Sequence, residues 1–318
     1  MTPRPAEGPA TIELPAASAR GLRVAVLPEL GAKVTSLRLT DGREWLAQPV
    51  RPLAAPAHPD QDWAELDCSG WDECFPNIAP SQALGLRDHG EVWRHPWSAR
   101  MTAAGLRTEI RTGRYRFARE LTSSGNQLVA DYLLRNESPQ GGAELDWAWA
   151  QHPLLAVDES TRLLLPGPAR VRLDACFGDA ESAAGIEWLC PSGLLEPETL
   201  LGVAQGRAAK LWFERPLPPV IAVLHEDEWL AWKIADPSID EVGLWINLGG
   251  WGGTGDTTFR HLAIEPAFGG VDDPEIAYAG GVSRRLPAAS QRRWRVVIEA
   301  GRGRPALTKL LAAVTLPN

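Results

Sequence analysis

The sequence predicts an all-β protein of two packed sheets with few short helices. Three observations carry this: apolar residues alternate with period two, turn residues separate the alternating segments, and long helical periodicity is nearly absent. Leu22, Val24 and Val26 share one face, and residues 28–31 then turn the chain. Leu37 and Leu39 continue the pattern up to a turn at Asp41-Gly42. Tyr115 and Phe117 alternate, "SSGN" (123–126) reverses the chain, and Leu128, Ala130, Tyr132 and Leu134 alternate after it. Trp294, Val296 and Ile298 repeat the pattern. Only "PALTKLLAAV", with Pro305 placed to start it, has helical spacing. Proline-rich "RPLAAPAHPDQD" (51–62) reads as a surface loop. No linker divides the chain, so a single domain is expected over 1–318, with 1–12 as a loose arm.

Composition excludes several function classes. The 32 basic and 40 acidic side chains give a net charge of −8, which argues against a nucleic-acid partner. No apolar run approaches the ~20 residues that span a bilayer, and the first residues lack the apolar core of a signal peptide. A cytoplasmic protein, monomer or homodimer, is expected, with no membrane partner. Cys68, Cys74, Cys176 and Cys190 form no CxxC pair, so free thiols are expected and no metal site. Fourteen tryptophans against three tyrosines is a strong bias. Most should fill the core. Indole also offers a flat apolar face with one donor, which suits the C–H face of a sugar, and two or three are expected to serve that way.

Six histidines limit the acid–base options. His58 lies in the proline-rich loop, His225 in acidic "HEDE", and His95 before Pro96 in extended backbone. His261 reads as a strand residue facing solvent. His89 in "RDHGEVW" and His152 in "WAWAQHPLL" remain. Trp147 and Trp149 alternate ahead of His152, and Pro153 after it suggests a sheet edge or cleft rim. In "LAIEPAFGG" (262–270), Leu262 and Ile264 oppose Ala263 and Glu265, and Pro266 is expected to end regular pairing. A carboxylate there, partly buried before a glycine-rich loop, suits a general base.

Taken in order, these motifs resemble the aldose 1-epimerase (galactose mutarotase-like) family. "LRVAVLPELGAKVTSLRLTDGREWL" is similar to its opening hairpins. "GWDECFPNIAP" followed by "DHGEVWRHPW" resembles its Phe-Pro and His-Gly segments. "YLLRNES" and "WAWAQHPLL" resemble its Asn-ended strand and its His strand. "DPSIDEVGLWINLGG" and "LAIEPAFGG" resemble the closing stretch with the essential Glu.

The resemblance implies a β-supersandwich whose cleft holds one pyranose, and interconversion of α and β anomers without cofactor or metal. It implies Glu265 as the base on the C1 hydroxyl, His152 as the acid on the ring oxygen, and His89 sharing the acid role. Asp72, Trp93, Arg94, Lys210, Asp236 and Trp245 are the candidate sugar-binding residues. Trp93 and Trp245 are expected to wall the cleft, and Asp88 and Glu91 to support the turn. The sequence departs from the family where many members carry an Arg four residues after the His of the His-Gly motif. Trp93 holds that place, with Arg94 next. The family's sugar-binding Asp has no clear match, Lys210 and Asp236 being the nearest polar residues. Two other functions remain open: a non-catalytic sugar-binding or regulatory protein on the same scaffold, and an epimerase of a phosphorylated hexose, which would need cations around the cleft.

Overall fold

Period-two alternation becomes antiparallel pairing between the strands of the computed structural model. The structure describes residues 10–15, 21–58, 60–66, 68–178, 187–195, 206–253, 258–279 and 284–314. The larger sheet has eleven strands. Its first half runs Ile12–Glu13, Leu22–Leu27, Lys33–Leu39, Trp71–Cys74 and Trp149–Pro153. It continues through Arg260–Phe268, Glu241–Leu248, Arg207–Phe213, Ala169–Gly178 and Glu187–Cys190, and Leu155–Ala156 also pairs with Arg260–Phe268. The second sheet has nine strands, Gln291–Arg302 and Gln127–Asn136 near its centre. A two-stranded ribbon joins Arg284–Leu286 to Leu145–Trp147. Among the described residues the α-helices are short: Trp63–Leu66, Pro274–Ala279 and Arg304–Val314, the last covering the expected C-terminal segment.

One core joins the inner faces of both sheets. Trp149 and Phe268 of the large sheet meet Tyr132 and Trp294 of the other. Trp45, Trp71, Trp149, Trp212, Trp229 and Trp232 are fully buried, so core filling accounts for much of the tryptophan bias. Between the sheets lies a buried ion pair that alternation does not reveal. Glu73 takes hydrogen bonds from Arg119 (2.7 Å), Tyr132 (3.0 Å) and the indoles of Trp71 and Trp149 (3.1 and 2.7 Å). A charge so far from water persists only when its lone pairs are satisfied in this way.

Three expectations need correction. Residues 1–9 of the arm lie outside the described residues, but Ile12 already pairs with Val26, so the arm stops short of residue 12. Of the two places expected for His152 the cleft is found and the sheet edge is not: its strand lies between those of Asp72 and Glu265 in the sheet interior. Pro266 does not end its strand. The strand continues to Phe268, with Val242 opposite Pro266, because proline forfeits its donor toward one neighbour while the other side stays paired. Cys74, Cys176 and Cys190 are free thiols. No helix among the described residues is long and apolar enough to cross a membrane.

Candidate active site

The site lies on the face of the large sheet turned away from that core. Leu262 and Ile264 enter the core, so Ala263 and Glu265 point the other way, as alternation predicts. The His152 strand pairs Ala150 with Ala267, and the next short strand pairs Leu155 with Leu262 in the same register. That register sets His152 opposite Glu265, in a gap where the ladder is open. On the far side Glu265 is partnered by Gly243, and His152 by Asp72. Asp72, His152, Glu265 and Gly243 therefore form one row across four adjacent strands.

His89 reaches this row from the "DHGEVW" turn. It sits in left-handed backbone (φ 57°), its N–H donating to Ile78 O at 2.7 Å. Gly90 follows at φ 73°, and a Cβ there would stand 2.1 Å from Phe75 O. Only glycine fits, and the close approach fixes the turn against the sheet. The imidazole stacks on Trp63 at 4.2 Å, and its centroid is 4.6 Å from that of His152.

The resulting cavity holds about 210 Å³. Asp88, His89, His152, Glu265, Lys210, His261 and Asp272 supply its polar lining, and Trp63, Trp245, Trp251 and Phe177 its aromatic walls. Of these tryptophans only Trp245 is among the residues proposed from sequence.

Electrostatics separates the two central histidines. Burial pushes the His89 imidazolium down, but Asp88 and the Cys74 sulfur together hold the group well above its ordinary value. Nδ1 of His89 lies 3.0 Å from Asp88 Oδ1, off the line of a good hydrogen bond, so the attraction is chiefly of charge. The nearby Cys74 thiol, pushed up to about 11 by burial, stays neutral. His152 goes the other way, lowered by burial and then by the positive charges of His89 and Lys210. The two rings therefore carry unequal charge at neutral pH.

Lys210 touches Glu265 directly and lies 3.5 Å from Asp272. Burial pushes the Asp272 carboxyl up to about 6, against the pull of Lys210. Glu265 Oε1, His152 Nδ1, Asp272 Oδ1 and His261 Nε2 are buried without a hydrogen bond. Such groups in one cavity are the mark of a site built for a polar ligand. The ligating atoms of Cys74, His89 and His152 also lie within 4.8 Å of one another, a set that a soft cation such as zinc uses. Asp88 favours the charged form of His89, so a cation would have to displace that proton to use the ring.

The cavity gathers His89, His152, Glu265, Lys210 and Trp245 of the residues proposed from sequence, and leaves out the rest. Asp72 is buried beneath it, accepting hydrogen bonds from Lys33 (2.6 Å) and the Trp63 indole (3.0 Å), so it holds the ring that stacks on His89. Trp93 is buried behind the turn, its indole N–H donating to Asp88 O at 3.1 Å. Arg94 lies in a separate surface groove and donates to His58 O. Asp236 caps a turn at Ser238 and bonds Arg295 N beside the nine-stranded sheet. Trp93 and Arg94 lie on the short helical turn Val92–Arg94 and Asp236 in a turn between strands, so none of the three reaches the cavity, while Asp72 is the register partner of His152.

His261 reverses an expectation: it is 1 % exposed, lines the cavity, and burial lowers its pKa to about 3. Alternation held the signal, since 261, 263 and 265 share a face. Trp251 sits between glycine pairs in "GGWGG", a placement that hints at a loop built around one ring. Trp63 and Asp272 carry no comparable sequence signal.

No protein-family model matches the sequence, and no curated protein matches it. Solved structures do. A galactose mutarotase-like protein from Lactobacillus casei superposes with a TM-score of 0.66 at 13 % identity, over 92 % of this chain and 100 % of that one. This chain has the galactose mutarotase-like fold. The galactose mutarotase related enzyme of Lactobacillus acidophilus gives 0.65 at 13 % identity, covering 92 % and 97 %. The Slr1438 protein of Synechocystis sp. PCC 6803 gives 0.65 at 15 %, covering 93 % and 97 %. The mutarotase-like fold is thus shared over nearly the full length of each chain, while at these identities most side chains differ.

Proposed function

We propose that this protein is an aldose 1-epimerase that interconverts the α and β anomers of a hexose or related sugar. One observation carries the reading: His152 faces Glu265 across an open stretch of ladder, with His89 beside them in a cavity of small-molecule size. Glu265 Oε1 is free to accept the proton of the C1 hydroxyl. As the C1–O5 bond breaks, its electrons pass to the ring oxygen, which an imidazolium protonates. His89 suits that step better than His152, because Asp88 keeps it charged whereas the surroundings of His152 keep it neutral. His152 then orients the sugar between acid and base. Rotation about C1–C2 and attack of the O5 hydroxyl on the other aldehyde face give the second anomer, with both protons returned.

The cations of the phosphorylated-hexose reading leave no free charge at the cavity. Arg87 and Arg94 line the separate groove, and Lys210 is engaged by two carboxylates. A free sugar is therefore favoured. Polarimetry or NMR exchange on free, phosphorylated and sulfonated hexoses tests the reaction. Acceleration over buffer for a free hexose supports it, and binding without acceleration for every sugar would leave a sugar-binding protein.

A further inference from the structure

Lys210 and Glu265 are not on neighbouring strands. The strand Glu241–Leu248 runs between theirs, pairing Lys210 with Trp245 and Glu265 with Gly243. Neighbouring strands lie about 4.8 Å apart, so the two backbones are separated by roughly 10 Å. Their side chains nevertheless touch. They meet above Gly243, where a Cβ would stand 3.1 Å from Lys210 Cε, Lys210 Nζ and Glu265 Oε2. That is tighter than ordinary van der Waals contact, so a side chain at 243 would press on the pair itself.

The contact is also one-sided. Lys210 Nζ meets Oε2 of Glu265, is steadied by Asp272 Oδ1 at 3.5 Å, and lies 4.9 Å from the centre of the Trp212 ring. Oε1 has no hydrogen bond and lies 4.0 Å from His152 Nε2. Both side chains are at most 5 % exposed, so water does not compete for the ammonium. An ammonium so held has little reach left for a sugar, which argues against the direct sugar-binding role expected of Lys210.

We propose that Lys210 is a positioning residue: it anchors one oxygen of the Glu265 carboxylate so that the other faces the sugar C1 hydroxyl, and Gly243 is bare so that this contact can form across the intervening strand. The role rests on the epimerase reading of the site. Pre-setting one carboxylate rotamer acts on the reaction step, because a base turned away from its proton must first rotate in a crowded site. A lysine that only helped to bind sugar would act on KM instead.

Steady-state anomer exchange of the full chain, on the hexose that the wild type turns over fastest, tests this. Lys210→Met lowers kcat by about 10²-fold with KM within about threefold of wild type. Gly243→Ala, which keeps both charges, lowers kcat by roughly 3- to 10-fold, since the pair must give by only a few tenths of an ångström. Propylammonium added to Lys210→Ala restores at least a tenth of the lost rate, and has no effect on Glu265→Gln. An unchanged kcat in Lys210→Met, or a rise in KM alone, overturns the positioning role while the epimerase reading stands. If the Lys210 variants do not fold, as circular dichroism would show, Gly243→Ala decides: wild-type kcat there overturns the role. A wild type that accelerates exchange of no sugar removes both the reading and the role.

Discussion

His152 Nε2 stands 4.0 Å from Glu265 Oε1, although the two residues lie far apart in the chain. The register that sets them face to face continues on both sides of them, and the ladder is open over residues 151–154 opposite 263–266, where they stand. Pro266 helps to keep it open, because it has no N–H to offer the His152 strand. Both side chains line the cavity there, with Glu265 Oε1 left without a hydrogen bond.

Glu265→Gln keeps the size of the side chain and removes its basic oxygen. We expect catalysed anomer exchange to fall by 10²–10⁴-fold, the usual contribution of a positioned acid or base. Sugar binding should survive, since the amide still hydrogen-bonds the C1 hydroxyl. NMR exchange rates together with a binding titration measure the two separately, and near-normal exchange would take Glu265 out of the reaction.

Asp88→Asn tests the acid. His89 must be protonated to act, and the Asp88 charge opposes the downward push of burial on it. Without that charge His89 loses its proton at lower pH. The alkaline limb of the rate profile should then move to lower pH, while the rate at acid pH changes little. A limb that stays in place would mean that His89 is not the acid.

Trp63, Trp245 and Trp251 wall the cavity, whereas Trp93 is buried behind the turn. A bound sugar should perturb tryptophan fluorescence. Trp245→Phe should reduce the response and Trp93→Phe should leave it. A response that disappears only with Trp93 would place the sugar elsewhere.

His261 ties stability to acid. Its imidazole is buried, with a pKa of about 3 against about 6.5 in the unfolded chain. The folded state therefore binds the proton less readily. The stability linked to this group is complete above pH ~6.5 and is lost as pH falls toward 3, on the order of 4 kcal/mol in all. Urea unfolding at several pH values should show the slope, and His261→Gln should flatten it. An unchanged slope would assign the loss to other groups, His152 first among them.

The sequence by itself determined the all-β class and the faces of many strands, because alternation is a local property that each strand carries in its own residues. Tyr132, Leu134, Trp294 and Ile298 enter the core as their spacing demands, and Glu265 leaves it for the same reason. What local spacing does not contain is which strands become neighbours. Only the tertiary structure seated His261 in the cavity, brought Trp63 onto His89, and carried Arg94 and Asp236 away. It alone set Lys210 beside Glu265 over a bare glycine, since that meeting depends on the register of three strands brought together from 55 residues of chain.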